Sequence, residues 1–406
     1  MFTNPLLTPV CAEAPAGLNE GELKIYQGYI DFFEEVYKTM QDNYYQAVRR
    51  EDFDRFIENF NLKIYSQVEN KEEKSNYVQW RSSAYLIDYL KDAEDTFSAF
   101  FPPKPAEEFT HKVLGERIDL GLEGRKVPEG FLLTKIEPRS DAYQKGMREE
   151  DIILKIDRHK AAKLNEEKIK ELLTPEKGSK VKLTYLCFTD KKEKVVEVVS
   201  QEYYKQAVFM VPTQIPDVYC LEIKSFNRKT SEDMFRYLTL IKEQGQGASL
   251  IIDLRGNPGG PPLAAREISG FFLDPNGDFA YFQKRDRPKS LLTVPDLPEK
   301  FHFTGPVAIL VNKDSGSASE LFAGVLQRQK RAVLFGVNTA GKVLLKSMYN
   351  FDDGSMLALV TARGYFPDGT VFDYQGLVPD YFINDDTVDL IQVAGQYLAS
   401  QKTTIP

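Results

Sequence analysis

The chain has 406 residues, of which 42% are hydrophobic and 28% charged, so it can form two or three domains with cores of ordinary size. Its formal net charge of −8 argues against a surface that binds nucleic acid or an anionic membrane. Three scattered cysteines without CxxC spacing exclude a disulfide framework and a cysteine-rich zinc site, and no run reaches the ~18 apolar residues of a membrane span.

The N-terminal quarter of the chain predicts helices. Between residues 20 and 48 the apolar side chains recur at helical spacing, and residues 52–65 and 77–90 repeat this pattern in shorter form. The proline cluster FPPKP at residues 101–105 cannot continue a helix and marks a domain boundary. We therefore predict an N-terminal helical region over residues 1–108, without a catalytic constellation.

The first residues, MFTNPLLTPVCAEAPAG, lack the basic region of a signal peptide and are interrupted by prolines. They make a poor signal peptide, although they are compatible with the remnant of a clipped one. Cys11 follows Val10, which is larger than the residue usual before a lipidated cysteine. We interpret Cys11 as a free thiol.

Residues 109–201 predict a small β-rich module. The pattern favours two short helices, one that begins at the EPRSDA sequence and stops at Gly146 and one over residues 165–173. The predicted strands are residues 118–122, 130–136, 151–156 and 180–186, the first of them broken by Gly121.

From residue 202 onwards, strands alternate with helices, which indicates an α/β fold with a largely parallel core whose sites lie at the carboxyl ends of the strands. Two short runs, residues 281–284 and 291–294, fit a hairpin or a pair of edge strands. The other predicted strands are residues 218–225, 248–254, 306–312, 332–337 and 357–362, and the predicted helices are residues 231–243, 263–272 and 318–330.

Ser317 lies where a buried strand turns into a helix, so its hydroxyl adjoins unpaired backbone N–H groups that can hold an oxyanion. We interpret Ser317 as a nucleophile and Lys342, in the turn NTAGK, as its base. The chain has only three histidines, none in a suitable context, which favours lysine. Two plain alternatives stay open: Ser317-Ala318-Ser319-Glu320 is also a helix capping box, and Lys342 also fits a solvated turn lysine.

A second glycine-bearing turn, RGNPGGPP at residues 255–262, follows the buried strand at 248–254. It lacks the Lys-Ser/Thr of a P-loop and the spacing of a dinucleotide fingerprint, and its prolines remove donors, so nucleotide binding is disfavoured. Its glycines allow the close backbone approach that an oxyanion hole needs.

The β-rich module resembles a PDZ domain. The resemblance rests on a glycine-bearing loop, a strand, a Ser-x-Ala turn, Gly146-Met147 and the sequence Glu150-Asp151-Ile152. It implies that a peptide C-terminus adds as a strand to an open sheet edge, with its carboxylate on the loop formed by Leu120, Gly121 and Leu122. The alternative is that Gly121 only marks a β-bulge.

Three motifs taken together, DLRGNPGG, SGSASE and NTAGK, resemble the carboxyl-terminal processing (tail-specific) proteases, a serine–lysine family. The position of the PDZ-like module, the EDTFSAFFPP sequence from Glu94 and the late GLVPD sequence fit the same family. The resemblance implies a protease core with a mixed, largely parallel, ClpP/crotonase-like sheet over residues 202–406, with a PDZ domain at 109–201.

This resemblance also implies the roles of the site residues. Ser317 is the nucleophile, Lys342 is the general base, and the N–H groups of Ala318 and of Gly259 or Gly260 stabilise the oxyanion. No metal or cofactor is expected. The Lys342 pKa must then fall well below ~10.4, and its apolar neighbours Val343, Leu344 and Leu345 favour such a desolvated amine.

One position departs from the family pattern, because many members carry a Gln four residues after the lysine, where this chain has Lys346. A nearby positive charge also lowers the pKa of Lys342, but it cannot accept a hydrogen bond from it. We expect Glu320 to replace this orienting residue, with Gln327 as the weaker alternative.

The expected function is a serine endopeptidase that recognises apolar C-terminal tails of proteins through the PDZ domain. The N-terminal helices would cover the site or form a homodimer, and the resemblance implies a periplasmic or other extracytoplasmic location. The rival is a weak or inactive relative that binds peptides or hydrophobic ligands, which the retention of both Ser317 and Lys342 disfavours. A PDZ adaptor would leave the α/β half unexplained.

Overall fold

A computed structural model describes residues 18–60, 77–93, 95–245, 247–341, 344–371 and 376–402. The helices are α1 (Glu20–Asn43), α2 (Arg50–Asn59), α3 (Tyr77–Leu90), α4 (Pro103–Leu114), α5 (Asp141–Gln144), α6 (Glu166–Leu173), α7 (Thr230–Glu243), α8 (Pro262–Ser269), α9 (Ala318–Arg328) and α10 (Leu390–Lys402), with short 3-10 turns at Ala161–Lys163 and Glu299–Phe301.

The strands carry the numbers β1 to β19 in chain order. They are β1 (Ala99–Phe101), β2 (Glu116–Asp119), β3 (Leu122–Val127), β4 (Gly130–Ile136), β5 (Ile152–Ile156), β6 (His159–Lys160), β7 (Lys180–Leu186), β8 (Glu193–Val199), β9 (Gln201–Tyr204), β10 (Val208–Val211), β11 (Val218–Ile223), β12 (Ser249–Asp253), β13 (Asp278–Gln283), β14 (Ser290–Thr293), β15 (Val307–Val311), β16 (Val333–Gly336), β17 (Leu344–Asn350), β18 (Met356–Tyr365) and β19 (Tyr381–Phe382).

The chain folds into two compact units. One unit comprises residues 1–110, 208–226 and 230–406, and the other comprises residues 111–207 with 227–229. The N-terminal helices thus belong to the same unit as the α/β half of the chain.

A six-stranded sheet in the order β10-β11-β12-β15-β16-β19 forms the centre of the larger unit. Only the β10–β11 pair is antiparallel, which confirms the predicted largely parallel core. Strands β12 and β15 are buried at every position, as expected when both faces of a parallel sheet are covered. Helix α10 covers one face, where Ala394 and Leu398 join the sheet residues in one apolar cluster.

A second sheet in the larger unit is antiparallel, in the order β1-β18-β13-β14 with β17 also paired to β18. An aromatic cluster from α1, α2 and α3 packs with its residues Leu357, Leu359 and Val360. The predicted pair of strands near residues 281 and 291 is confirmed as the antiparallel pair of β13 and β14.

The smaller unit is built on the sheet β3-β4-β5-β7-β8, with β6 paired to β5, and on the separate ribbon of β2 and β9. Its core contains Leu120, Phe131, Ile153 and Leu183, all essentially inaccessible to solvent. Side-chain caps begin both of its helices: the Ser140 hydroxyl accepts the Tyr143 N–H, and the Asn165 side chain accepts the Lys168 N–H. The fold therefore has the predicted β-rich module.

The region around FPPKP differs from the prediction. It follows a strand, β1, rather than a helix, and Pro103 begins α4. Proline cannot continue a helix but fits its first turn, where the missing N–H has no intrahelical partner. Among the described residues, no helix is both long enough and apolar enough to cross a membrane.

Candidate active site

Ser317 lies at the carboxyl end of β15, immediately before α9, as the sequence predicts. Its backbone has φ 54° and ψ −114°, a left-handed conformation that is rare for a residue other than glycine. Such strain is retained only where the surrounding structure enforces it, and it is common at functional sites. The Ser317 side chain is partly exposed, so its hydroxyl can be reached.

The N-terminus of α9 offers one unused donor beside this serine. The N–H groups of Ser319 and Glu320 donate to the carbonyl oxygens of Gly316 at 3.0 Å and Ser317 at 2.9 Å. The Ala318 N–H makes no hydrogen bond with any residue that the structure describes. It is the backbone group that an oxyanion hole at Ser317 would use.

The glycine turn after β12 lies directly against the nucleophile turn. A Cβ on Gly259, where φ is +102°, would lie 2.6 Å from the Gly316 oxygen, 2.8 Å from the Ser317 Cβ and 2.9 Å from the Ala318 nitrogen. Only glycine fits this contact.

The two predicted glycine donors are not equivalent. The Gly259 N–H donates to the Asn257 side-chain oxygen at 2.9 Å. The Gly260 N–H has no acceptor within the described part of the chain. Of the two glycines, Gly260 is therefore the one whose amide is available to a ligand.

Asn257, which the sequence reasoning did not single out, holds the two turns together. Its buried side-chain amide donates to the Ile223 carbonyl at 2.8 Å. Its own carbonyl accepts the Gly316 N–H at 3.0 Å and the Ser319 hydroxyl at 3.0 Å. Its place in DLRGNPGG was the available signal, but the sequence did not indicate which groups it would bind.

Glu320 is almost fully buried, and its carboxylate accepts hydrogen bonds from both turns of the site. Its Oε2 accepts the Ser317 N–H at 2.8 Å, and its Oε1 accepts the Gly341 N–H at 2.7 Å and the Thr339 hydroxyl at 2.5 Å. The carboxylate thus joins the backbone of the predicted nucleophile to the residue that precedes the predicted base.

Thr339 extends this network and was also missed. Its hydroxyl oxygen accepts the Leu377 N–H at 2.7 Å, and the two backbones pair through the Thr339 N–H and the Leu377 oxygen at 3.2 Å. The GLVPD sequence is thereby connected with the NTAGK turn.

Lys342, Val343 and Glu94 lie outside the residues that the structure describes, as does Cys11. The pairing of Ser317 with Lys342 therefore stays a prediction.

Lys346 lies on β17, with its ammonium nitrogen 5.9 Å from the ring centre of Phe97 and 5.6 Å from that of Phe109. Lys346 as a whole is exposed, but its ammonium group lies over these rings. The loss of water around the ammonium group lowers the pKa of Lys346, and the negative charge of Asp95 opposes this shift. Asp95 itself is buried and accepts the Tyr44 hydroxyl at 2.9 Å.

Gln327, the weaker candidate for orienting the base, lies near the far end of α9. Its side-chain amide donates to the Val378 carbonyl at 3.0 Å. Two turns of helix separate it from Glu320, so it contributes to the GLVPD contact rather than to the Glu320 network.

A cavity of about 390 Å³ adjoins Glu320 and Gly341. Its apolar lining includes Phe366, Leu377 and Val378, and its lining also contains the ion pair of Arg328 with Asp368, at 3.0 Å. Its size and mixed lining suit an amino-acid side chain.

The predicted ligand loop of the smaller unit lies between β2 and β3. Gly121 has φ +73°, and a Cβ there would lie 2.4 Å from the Ser140 Cβ, so the turn requires glycine. The bulge of β3 lies at Glu123 and Gly124, not at Gly121. The Leu120 N–H donates to the Leu173 carbonyl at 3.1 Å, while Leu122 begins the strand.

The residues that the structure describes contain no group of three or more histidine, cysteine, aspartate or glutamate side chains that could hold a metal ion. Cys187 and Cys220 are buried free thiols, and burial raises the pKa of Cys220 to about 12, which makes it unreactive.

Comparison with known proteins agrees with this architecture. Residues 217–383 match the model of peptidase family S41, and residues 109–186 match that of the PDZ domain. A probable CtpA-like serine protease of Staphylococcus haemolyticus is 28% identical over 324 residues, which cover 78% of this chain and 62% of the relative. A similar protein of Staphylococcus epidermidis is 27% identical and covers 73% of this chain and 59% of its own length.

The fold is also that of solved proteases. The photosystem II D1 C-terminal processing protease superposes with a TM-score of 0.51 at 19% identity, over 90% of this chain and 96% of that one. The present chain spans about six tenths of the length of the two curated staphylococcal relatives. The chain thus contains a region similar to peptidase family S41, residues 217–383, preceded in the sequence by a region similar to the PDZ domain, residues 109–186.

Proposed function

We propose that this chain is a serine endopeptidase in which Ser317 is the nucleophile and Lys342 the general base. The observation that carries the proposal is the Glu320 carboxylate, which accepts both the Ser317 N–H and the Gly341 N–H. It fixes the nucleophile and the residue before the base to one buried group. The strained backbone of Ser317 and the unused Ala318 N–H support the same conclusion.

In this mechanism the neutral Lys342 amine removes the Ser317 proton as the serine oxygen attacks the substrate carbonyl carbon. The oxyanion accepts hydrogen bonds from the Ala318 N–H and the Gly260 N–H. When the C–N bond breaks, Lys342 returns the proton to the leaving amine, and an acyl-enzyme remains. Water, deprotonated by Lys342, then hydrolyses this ester and regenerates the Ser317 hydroxyl.

Glu320 acts in this proposal as a positioning residue. Its carboxylate oxygens already accept hydrogen bonds from Ser317, Thr339 and Gly341. We infer that it orients Lys342 through the Gly341 backbone. Lys346 supplies a positive charge four residues beyond the base, and such a charge would favour the neutral form of Lys342.

We further propose that the PDZ domain binds the C-terminal tails of protein substrates, and that the cavity beside Glu320 receives a substrate side chain. We also propose an extracytoplasmic location and a homodimer that forms through the N-terminal helices. Fractionation of the producing cell and the mass of the purified protein in solution test these last two points.

The decisive experiment is cleavage of a loosely folded protein with an apolar C-terminus by the parent chain, Ser317→Ala and Lys342→Ala. We expect both variants to fall to background, because each lacks one partner of the proton transfer. Thr239→Ala is the matched control, since it removes an exposed hydroxyl on α7 that donates to the Phe235 carbonyl at 2.9 Å. Variants that cut as fast as the parent would end the dyad assignment, whereas a parent chain that does not cut would leave a binding protein as the better account.

A further inference from the structure

Strand β3 is the end strand of its sheet, in the order β3-β4-β5-β7-β8. Its outer edge is therefore where a peptide could add as a further strand. A C-terminal peptide bound there would place its carboxylate at the β2–β3 turn, against the N–H groups of Leu120 and Gly121.

Those N–H groups already have acceptors within the domain. The Gly121 N–H donates to the Asp119 Oδ1 at 2.6 Å, a short hydrogen bond to a charged group. The Leu120 N–H donates to the Leu173 carbonyl, the last residue of α6, at 3.1 Å. An internal carboxylate thus lies where the carboxylate of a ligand would bind.

The charges around this turn also disfavour a second anion. Arg117 is the one arginine in contact with Asp119, with Nε 3.5 Å from Oδ2, among the residues that the structure describes. It is shared with Glu123 at 2.6 Å and with Glu137 at 3.8 Å. One guanidinium therefore faces three carboxylates, and the site keeps a net negative charge.

Near the other end of β3, a backbone N–H group also has an internal acceptor. The Lys126 N–H donates to the Glu166 Oε2 at 3.3 Å, and the Lys126 ammonium donates to the Ala161 carbonyl at 2.6 Å. Helix α6 therefore contacts β3 at Lys126, through Glu166, and the turn before β3 at Leu120, through the Leu173 carbonyl. Ligand binding has to replace these contacts.

We propose that Asp119 determines the ligand specificity of the PDZ domain, because its carboxylate competes with the C-terminal carboxylate of a substrate for the Gly121 N–H. The inference rests on the proposed binding of substrate tails by this domain. It predicts weak binding of free C-termini at neutral pH, unless contacts of the ligand side chains offset the loss of the internal hydrogen bond.

The inference also predicts a pH dependence. Burial raises the pKa of Asp119 above its ordinary value, Arg117 and the Gly121 N–H oppose this shift, and Glu123 and Glu137 reinforce it. Tyr203, which pairs with Arg117 between β9 and β2, has its pKa raised to about 12, mainly by burial, and stays neutral. Asp119 therefore loses its charge at a higher pH than an ordinary aspartate, while a peptide α-carboxylate stays ionised to about pH 3.5. Affinity for free C-termini should rise as the pH falls towards the raised pKa of Asp119.

The test is fluorescence anisotropy with a labelled peptide that ends in apolar residues, compared with its C-terminally amidated twin. The protein is the full chain with Ser317→Ala, which prevents cleavage. Asp119→Ala should bind the free-carboxylate peptide at least about tenfold more tightly, without a change for the amidated peptide. Asp119→Asn, which keeps an acceptor and removes the charge, should give a smaller gain and abolish the pH dependence.

Glu123→Gln is the matched control, because it removes a neighbouring charge without freeing the Gly121 N–H, and it should change affinity less than about threefold. Equal affinity and equal pH dependence of the parent and both Asp119 variants would overturn the role of Asp119, while a preference for the free carboxylate would keep the proposed tail binding. If every variant binds both peptides equally, tail binding by the domain fails, and the role of Asp119 fails with it. If Asp119→Ala does not fold, the pH dependence of peptide binding by the chain that keeps Asp119, compared with Asp119→Asn, still tests the role of Asp119.

Discussion

Ser317 is both the first capping residue of α9 and a residue with a strained backbone. It is the N-cap residue of α9, and its backbone N–H is held by Glu320 three residues later, as in a capping box. An ordinary N-cap has extended backbone, whereas Ser317 has φ 54°. The capping bond therefore holds a strained conformation rather than only starting a helix.

The interpretation of S-x-x-E as only a helix capping box does not account for this backbone conformation. The sequence predicted the short-range bond between Ser317 and Glu320. It could not predict that the same carboxylate reaches Thr339 and Gly341, because these residues are brought near only by the crossing from β15 through α9 to β16. Long-range partners of a buried charge depend on topology, which a local motif does not contain.

The residue-scale prediction concerns Glu320→Gln. A glutamine has one acceptor oxygen where the carboxylate has two, so at least one of its three donors is left without a partner. We expect kcat to fall about 100-fold, because Ser317 and Gly341 are displaced, while KM changes little. The free energy of unfolding should also fall by about 2–3 kcal/mol.

Gln327→Ala serves as the control on the same helix, because its side chain contacts the Val378 carbonyl and not the Glu320 network. Its kcat should stay within about threefold of the parent. Steady-state kinetics well below the unfolding temperature of each variant distinguish lost positioning from lost folding. If Gln327→Ala loses more activity than Glu320→Gln, then Gln327 orients the base and the assignment of Glu320 is wrong.

At the scale of elements, local pattern predicted most strands and helices of the two units. The bounds of β4 and β7 were predicted to the residue, because alternating apolar positions and flanking glycines define them. Strand β8 (Glu193–Val199) was missed, since its charged residues resemble a solvated loop and only Val198 is fully buried. Helix α10 was also missed, because its role is to cover the sheet and no motif marks it.

The donors of the candidate oxyanion hole could also be predicted only in part from the sequence. The sequence placed glycines 259 and 260 at the end of a buried strand and could not choose between them. The choice depends on the Asn257 side chain, which turns back to accept the Gly259 N–H and leaves that of Gly260 unused. A side chain two residues away thus decides which of the two glycine N–H groups keeps no acceptor among the described residues.

The prediction at this scale concerns the contact between the two turns. Gly259→Ala would place a Cβ 2.6 Å from the Gly316 oxygen and 2.8 Å from the Ser317 Cβ, so one backbone has to move. We expect kcat/KM to fall by about 100-fold or more, because Ser317 and the Ala318 N–H lose their alignment.

Gly256→Ala is a close control for this change. Gly256 lies in the same turn with φ +71°, but a Cβ there meets nothing within 4 Å. It therefore carries the backbone strain of a left-handed alanine, about 1 kcal/mol, without the collision. Peptidase assays and thermal unfolding of both variants separate the two effects. Equal losses of activity would show that strain alone matters and that the close approach of the turns does not.

At the scale of the whole molecule, the proposed catalytic site and the proposed tail-binding site lie in separate compact units. A peptidase that recognises its substrate away from the scissile bond can gain affinity without making the catalytic site itself selective. If the PDZ domain binds substrate tails as proposed, hydrolysis of a protein should depend on its free C-terminus, which a short internal peptide does not have.

Cleavage of paired substrates tests this coupling. One protein substrate has a free C-terminus, its twin is amidated, and a short blocked peptide reports the catalytic site alone. At a pH low enough to protonate Asp119, we expect amidation to raise KM for the protein substrate several-fold, because the negative charge that the β2–β3 turn would then bind is lost. At neutral pH the Asp119 carboxylate should keep this difference small. The blocked peptide should be cut at a rate independent of any change in the PDZ domain.

Gly121→Ala should reproduce the effect of amidation, since its Cβ would lie 2.4 Å from the Ser140 Cβ and the turn at φ +73° would have to change. Gly178→Ala is its control in the same unit, because Gly178 has φ +84° but open space around the added Cβ. The variant should slow cleavage of the free-carboxylate protein towards the rate of its amidated twin and leave the short peptide unaffected. Slower cleavage of all three substrates would show instead that the turn supports the catalytic site, and unchanged cleavage of all three would show that tail recognition does not pass through this turn.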